Sequence, residues 1–345
     1  MRDTDFAYAV AKVRVFETKL FSPSFFERLI IAPTYEDGLK LLNDSGYTPG
    51  DGQILSYANF DKALAYETDR LFSELCAISP VKGVFNIFLY KNDFHNAKVL
   101  LKNLFKGNVH KRKENADVSE ELPLVAEGNV PVALLKQAVA SENLPDVPEV
   151  LMQAINEAKA NFSRTNNPQN IDLLIDAACY KLMLQEAEKT GIEIIKNVIC
   201  EMIDITNILT FLRAKKNSSS IELAKKAFIP GGKISLETLA RLMAVSLADF
   251  KEQTASTYLS DAVASITKEA KDFNHLNIGD AEKILEEFSL KRFTKGRLNT
   301  FGIEPLISYM FLKLNEIKNV RIVMTGKFNN IEPSSVRSRV RNAYV

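Results

Sequence analysis

One short pattern occurs three times at almost constant spacing. Asp93-Phe94-His95-Asn96 opens DFHNAKVLLKNLFKG, Asp204-Ile205-Thr206-Asn207 opens DITNILTFLRAKKN, and Glu316-Ile317-Lys318-Asn319 opens EIKNVRIVMTGKFN. Each copy is an acid, two residues, an asparagine, and then a mostly apolar run that ends in basic residues. The asparagines are 111 and 112 residues apart, so a chain of 345 residues reads as three tandem copies of one unit. That repeat overrides the usual prior of ~150 residues per domain. The expected units are 1–113, 114–220 and 221–345. A unit of about 110 residues buries a small core and is marginal alone, so the three are expected to pack on one another.

Helix-period patterns fill each unit, and glycine and proline are sparse. In the first unit Phe6, Val10 and Val13 begin an amphipathic helix. SPSFFERLI then restarts one, with proline after serine as the opening signal. A short helix follows from Tyr35, a long one from Phe60 to Ala77, and finally the signature helix. The second unit repeats this order with PVALLKQAV, a segment from Asp146, IDLLIDAACYKLMLQEA, and the second signature. The third repeats it with LETLARLM, a segment from Ser246, a long helix over Ala281 to Arg292, and the third signature. VRIVM (320–324) is β-branched, but its place in the repeat, opposite VLLKN and LTFLR, predicts helix. The expected fold class is all-α, with three units related by pseudo-threefold symmetry. HKRKENADVSEE (110–121) reads as a linker between the first two units, and Ser218 to Ser220 mark the second boundary.

Forty-four basic residues balance 43 acidic ones, which argues against a dedicated nucleic-acid binder. Cys76, Cys179 and Cys200 form no CxxC pair and are expected to be reduced, buried thiols of a cytosolic protein. The opening MRDTDFAYAVAKVR lacks an apolar signal core, and no window reaches the ~18 uninterrupted apolar residues of a membrane span. Contact with a membrane is therefore expected only through a partner.

An acid three residues before an asparagine puts Asp93 and Asn96, Asp204 and Asn207, and Glu316 and Asn319 on one helical face each. Two readings stand. They form polar contacts to a partner, or they satisfy backbone groups where neighbouring segments meet. The basic helix ends Lys102, Lys106, Arg213, Lys215, Lys216 and Lys327 are a candidate interface rim. Each also complements a helix dipole, at ~0.3–1 kcal/mol. His95, His110 and His275 are scattered, with no HExxH or paired CxxC, so no zinc site is nominated. No GxxxxGK[ST] loop, GxGxxG turn, GxSxG elbow or DDxxD cluster is present. No catalytic residue, cofactor or metal is expected.

The opening YAVAKVRVFETKLF, the three [DE]xxN helices with basic tails, and the closing ISYMFLKLNEIKNVRIVMTGKFN resemble the C subunit of the A/V-type rotary ATPases of bacteria and archaea. The same family includes the d subunit of the eukaryotic vacuolar ATPase. The resemblance spans essentially the whole chain, and one departure is Thr325, where the other units carry Lys102 and Arg213. It implies an all-helical funnel of three domains on the cytoplasmic face of a membrane. The implied partners are the ring of proteolipid subunits below and the central shaft received in the funnel. The implied role is non-catalytic coupling of ring to shaft for ATP synthesis or hydrolysis. The coupling ion, proton or sodium, is chosen by ring carboxylates outside this chain. Without the resemblance the residues lead to a threefold helical adaptor. A helical-repeat scaffold unrelated to ATPases and an all-α enzyme are the alternatives, the latter needing a convergent cluster of groups that the sequence does not offer.

Overall fold

The computed structural model describes residues 2–50, 52–110, 122–217, 221–255, 257–268 and 270–341, side chains 3, 106–110, 221 and 223 excepted. Of the expected linker 110–121, His110 is the last residue of a helix and residues 111–121 lie outside the described residues, as does the boundary at 218–220. Among those described, sixteen α-helices and no strand occur. They are α1 (Ala7–Glu17), α2 (Pro23–Ile31), α3 (Tyr35–Asp44), α4 (Phe60–Ile78), α5 (Asn86–His110), α6 (Val132–Ala140), α7 (Glu149–Thr165) and α8 (Gln169–Thr190). There follow α9 (Glu193–Lys216), α10 (Ile221–Lys226), α11 (Leu236–Leu242), α12 (Leu247–Thr254), α13 (Ser260–Ile266), α14 (Ile278–Phe293), α15 (Glu304–Phe328) and α16 (Pro333–Arg339). No helix among the described residues is long and apolar enough to cross a membrane.

The recurring order is first helix α2, α6, α11; second helix α3, α7, α12; long helix α4, α8, α14; signature helix α5, α9, α15. Local chemistry explains the starts. Ser22 and Ser235 cap α2 and α11 by accepting from the third N–H onward, at Phe25 and Thr238. Thr34 and Ser246 do the same for α3 and α12. The middle copies use Pro131 and Pro148 at the cap position, where extended backbone turns into helix without a side-chain bond.

Two compact units result, Met1–Gly83 with Gly279–Val345, and Val84–Ile278. The first combines both ends of the chain. Its core joins Phe21, Phe25, Phe26, Leu29 and Ile30 from the α2 region with Leu39, Leu42, Phe60 and Leu64, and with Ile317, Val320, Val323 and Met324 of α15. The last three are fully buried at helical spacing, which is why the β-branched VRIVM run is a helix. In the second unit α8 packs against α5, α7 and α9, and Phe211, Phe250 and Phe273 form a ring cluster. Cys179 is buried, whereas Cys76 and Cys200 are half-buried, so the expectation of three buried thiols holds for one.

Candidate functional site

The three signatures are among the most buried polar groups of the chain. Asp93, Asp204 and Asn319 are fully buried, and Asn96, Asn207 and Glu316 nearly so. Each asparagine grips one residue of irregular backbone by both its polar groups. Asn96 Nδ2 donates to the Val125 carbonyl (2.7 Å) while its Oδ1 accepts from the Val125 N–H (2.8 Å). Asn207 does the same to Ile229 (2.8 and 2.9 Å), and Asn319 to Arg341 (2.9 Å both). A side-chain amide matches a peptide group in shape, so it replaces the partner that buried backbone outside a helix would lack.

One turn earlier on each helix, the acid accepts from the backbone just before a first helix. Asp93 takes the Asn129 and Val130 N–H groups (3.1 Å each), ahead of α6. Asp204 takes those of Lys233 and Ile234 (3.0 Å each), ahead of α11. Glu316 takes the Phe21 N–H (2.6 Å), ahead of α2. Each signature helix therefore holds the entrance of the next unit's first helix, and the third holds the first. In the two internal copies the gripped backbone is one continuous segment, 125–130 and 229–234. In the closing copy it is split between the two ends of the chain, Arg341 and Phe21. Hydrogen bonds to a charged acceptor contribute ~1.5–3 kcal/mol each, more than the neutral asparagine bonds.

The internal copies share a close approach. A Cβ on Gly128 would lie 2.2 Å from Asp93 Oδ1, and one on Gly232 would lie 2.1 Å from Asp204 Oδ1. Neither glycine has a positive φ, so the requirement is room for the carboxylate. In the closing copy the corresponding residue is Lys19, two before Phe21, and the acid is one methylene longer. There the Leu20 N–H is already bonded to the Glu17 carbonyl at the end of α1 (3.2 Å), leaving one N–H for the acid. The other carboxylate oxygen of Glu316 accepts from Tyr47 Oη (2.8 Å) and Lys313 Nζ (2.6 Å). Lys313 is also 2.8 Å from Glu67 Oε2, which binds Arg70 at 2.7 Å, while Glu67 Oε1 has no hydrogen-bond partner among the described residues. Tyr258 donates to Asp204 at 2.8 Å, as Tyr47 does to Glu316; each tyrosine follows the second helix of its unit. No hydroxyl donor serves Asp93 among its described bonds. Burial pushes the Asp93 carboxyl up to about 6 against the pull of its two N–H donors, and burial raises Asp204 as well, opposed by Ile234 and Tyr258.

The basic helix ends reach their own chain. Lys215 Nζ donates to the carbonyls of Met243 and Val245 (2.9 Å each) just past α11, and stands 4.5 Å from the Phe273 ring centre. Lys327 Nζ does the same at the end of α2, to Ile30 (2.9 Å) and Ala32. These two lysines each lie eight residues after a signature asparagine, where the first copy has Leu104. The end of α6 is served instead by Lys159 of α7, which donates to the Ser141 carbonyl (2.8 Å). Burial lowers the proton affinity of all three lysines. Such ammonium groups satisfy last-turn carbonyls that have no intrahelical partner. Lys216 donates to the Leu276 carbonyl (2.8 Å), and Lys102 pairs with Asp172 (2.7 Å). Arg213 is exposed, and the side chain of Lys106 lies outside the described residues. Among the described residues no group of three or more His, Cys, Asp and Glu could hold a metal ion.

This arrangement is one of mutual fastening, and comparison with known proteins shows which family the chain that carries it belongs to. The sequence model of the ATP synthase (C/AC39) subunit family matches residues 9–339. The C subunit of the A-type ATP synthase of Methanocaldococcus jannaschii is 26% identical over 96% of this chain and 85% of its own length. The C subunit of the V-type sodium ATPase of Enterococcus hirae is 24% identical over 96% of this chain and 97% of its own length. With nearly its whole length matched, from the first helix through the last, the chain belongs to the ATP synthase (C/AC39) subunit family.

Proposed function

We propose that this protein is a non-catalytic central-stalk subunit of an A/V-type rotary ATPase, joining the membrane proteolipid ring to the central shaft at the cytoplasmic face. The family match across residues 9–339 carries the reading. In it, the units 1–113, 114–220 and 221–345 form the three domains of a funnel. Its demand is mechanical: ring and shaft must turn together, so the adaptor has to resist twisting. Close-packed helices joined by buried charge-assisted bonds suit that demand, because each bond has a fixed length and direction.

Within this reading, the basic ends Lys102, Lys106, Arg213, Lys215, Lys216 and Lys327 give the ring a footing of many modest polar contacts. Lys215, Lys216 and Lys327 also hold carbonyls, so charge reversal there would damage the fold. The footing is tested with Lys106→Glu and Arg213→Glu together. Ion pairs at the rim of an interface contribute ~0–1 kcal/mol each, so assembly with the membrane sector should weaken, and most at low salt where screening is least. Unchanged assembly removes the rim from the proposal. The function itself is tested by omitting the chain from the assembled complex. ATP hydrolysis by the catalytic sector should persist while ion transport stops. Transport at the normal ratio without the chain would overturn the reading.

A further inference from the structure

The three fastenings are alike in plan and unlike in one respect that connectivity explains. The internal acids reach entrances only 37 and 30 residues away, at Val130 and Ile234. Glu316 reaches Phe21 across 295 residues. Contact probability in a flexible chain falls as about the three-halves power of loop length, so closure is disfavoured by roughly 20–30-fold relative to the internal contacts. From Glu316 the internal entrances at Val130 and Ile234 are 186 and 82 residues away, so chain length favours them over Phe21 by roughly 2- and 7-fold, and both compete for α15 during folding.

We infer that acid length and the facing residue form a matched pair that directs α15 to the N-terminal entrance and keeps the internal helices off it. A short acid fits an entrance with two unused N–H groups and a glycine. Asp93 with Gly128 and Asp204 with Gly232 are such pairs. The N-terminal entrance offers one N–H, because the Leu20 N–H belongs to the last turn of α1, and it carries Lys19 where a glycine would be needed. An aspartate there would lose one of its two bonds and meet a side chain at the point of closest approach. The longer Glu316 reaches the single N–H and gives its second oxygen to Tyr47 and Lys313. At an internal entrance it would lose the buried Lys313–Glu67 side of that network, because Glu67 lies on α4 in the same compact unit as Phe21. The pairing separates closing from internal contacts. The two internal contacts need no such separation from each other, since each is decided by short connections. The pairing is a property of the fold and stands apart from the rotary function.

The test is refolding of the full chain from urea. Glu316→Asp gives the closing helix an internal-length acid. Asn319→Ala weakens the same fastening without altering acid length. Products are resolved by size-exclusion chromatography with light scattering, and exchange protection is read in peptides covering residues 19–23, 127–131 and 231–235. With conditions adjusted to equal stability, Glu316→Asp should give several-fold more misclosed monomer and intermolecular product than Asn319→Ala. Equal product distributions for the two variants overturn the inference. If Glu316→Asp does not fold, pulse-labelled exchange on the unaltered chain decides. The Phe21 amide must gain protection after those of Val130 and Ile234, and earlier or simultaneous protection overturns the inference.

Discussion

Gly232→Ala adds one methyl group, 2.1 Å from Asp204 Oδ1 and 2.9 Å from its Cγ. Ordinary non-bonded contact needs ~3.5 Å, so the carboxylate oxygen has to retreat by about 1.4 Å. That oxygen accepts from the Ile234 N–H at 3.0 Å, and the retreat carries it past the ~3.2 Å limit of a useful bond. The Lys233 bond to Oδ2 shares the same rigid carboxylate and weakens with it. Losing one to two bonds to a buried charge costs ~1.5–3 kcal/mol each. Against this, glycine to alanine stiffens the unfolded chain, a gain of ~0.4–1 kcal/mol where φ is not left-handed. The net loss is about 0.5–2.5 kcal/mol if one bond is lost and about 2–5.5 kcal/mol if both are. Urea titration followed by circular dichroism measures it, and a double-mutant cycle assigns it. In an Asp204→Ala background the clash is gone, and the same glycine substitution should be neutral or stabilising by up to ~1 kcal/mol. Equal costs in both backgrounds would refute the close-approach argument.

Three further outcomes are expected. Asp93 is raised in the folded state to about 6 from its ordinary value near 4, so folding binds a proton between those values. Its contribution to stability is therefore greatest below pH ~4, falls as pH rises through 6, and amounts to ~3 kcal/mol; urea midpoints from pH 4 to 7 should show the slope, and Asp93→Asn should remove it. Asn319→Ala frees both polar groups of Arg341, costing ~1–3 kcal/mol, and should speed hydrogen exchange across residues 333–341 while leaving α6 and α11 unaffected. Lys313→Met leaves Glu67 and Glu316 buried without their shared cation and should destabilise by ~3–5 kcal/mol, whereas Lys40→Met, at an exposed pair, should change stability by under ~1 kcal/mol.

The helical fold class was readable because apolar residues recur at the helix period and a whole order of helices repeats. The acid–x–x–Asn spacing was readable because residues three apart share a helical face. The groups they grip were not. Val125, Ile229 and Arg341 share no side-chain chemistry, since each offers only its backbone N–H and carbonyl. Gly128 and Gly232 could be seen as turn residues, but their steric reason appears only with the carboxylate in place. Tyr47 and Tyr258 left a faint signal, three and four residues after a second helix, which loop-length variation obscured. The basic ends matched the helix-dipole rule. That Lys215 and Lys327 reach carbonyls of a different helix depends on packing, which composition does not encode.

Because the compact unit containing Phe21 and α15 is assembled from residues 1–83 and 279–345, it cannot be completed until nearly the whole chain has been synthesised. The intervening unit, 84–278, emerges whole before the missing half arrives. At ~5–20 residues per second, those 195 residues take on the order of 10–40 s. Throughout that interval Phe21, Phe25, Phe26, Leu29 and Ile30 have no α15 to cover them. On the ribosome, then, the core begun by α2, α3 and α4 waits for α15 before it is complete.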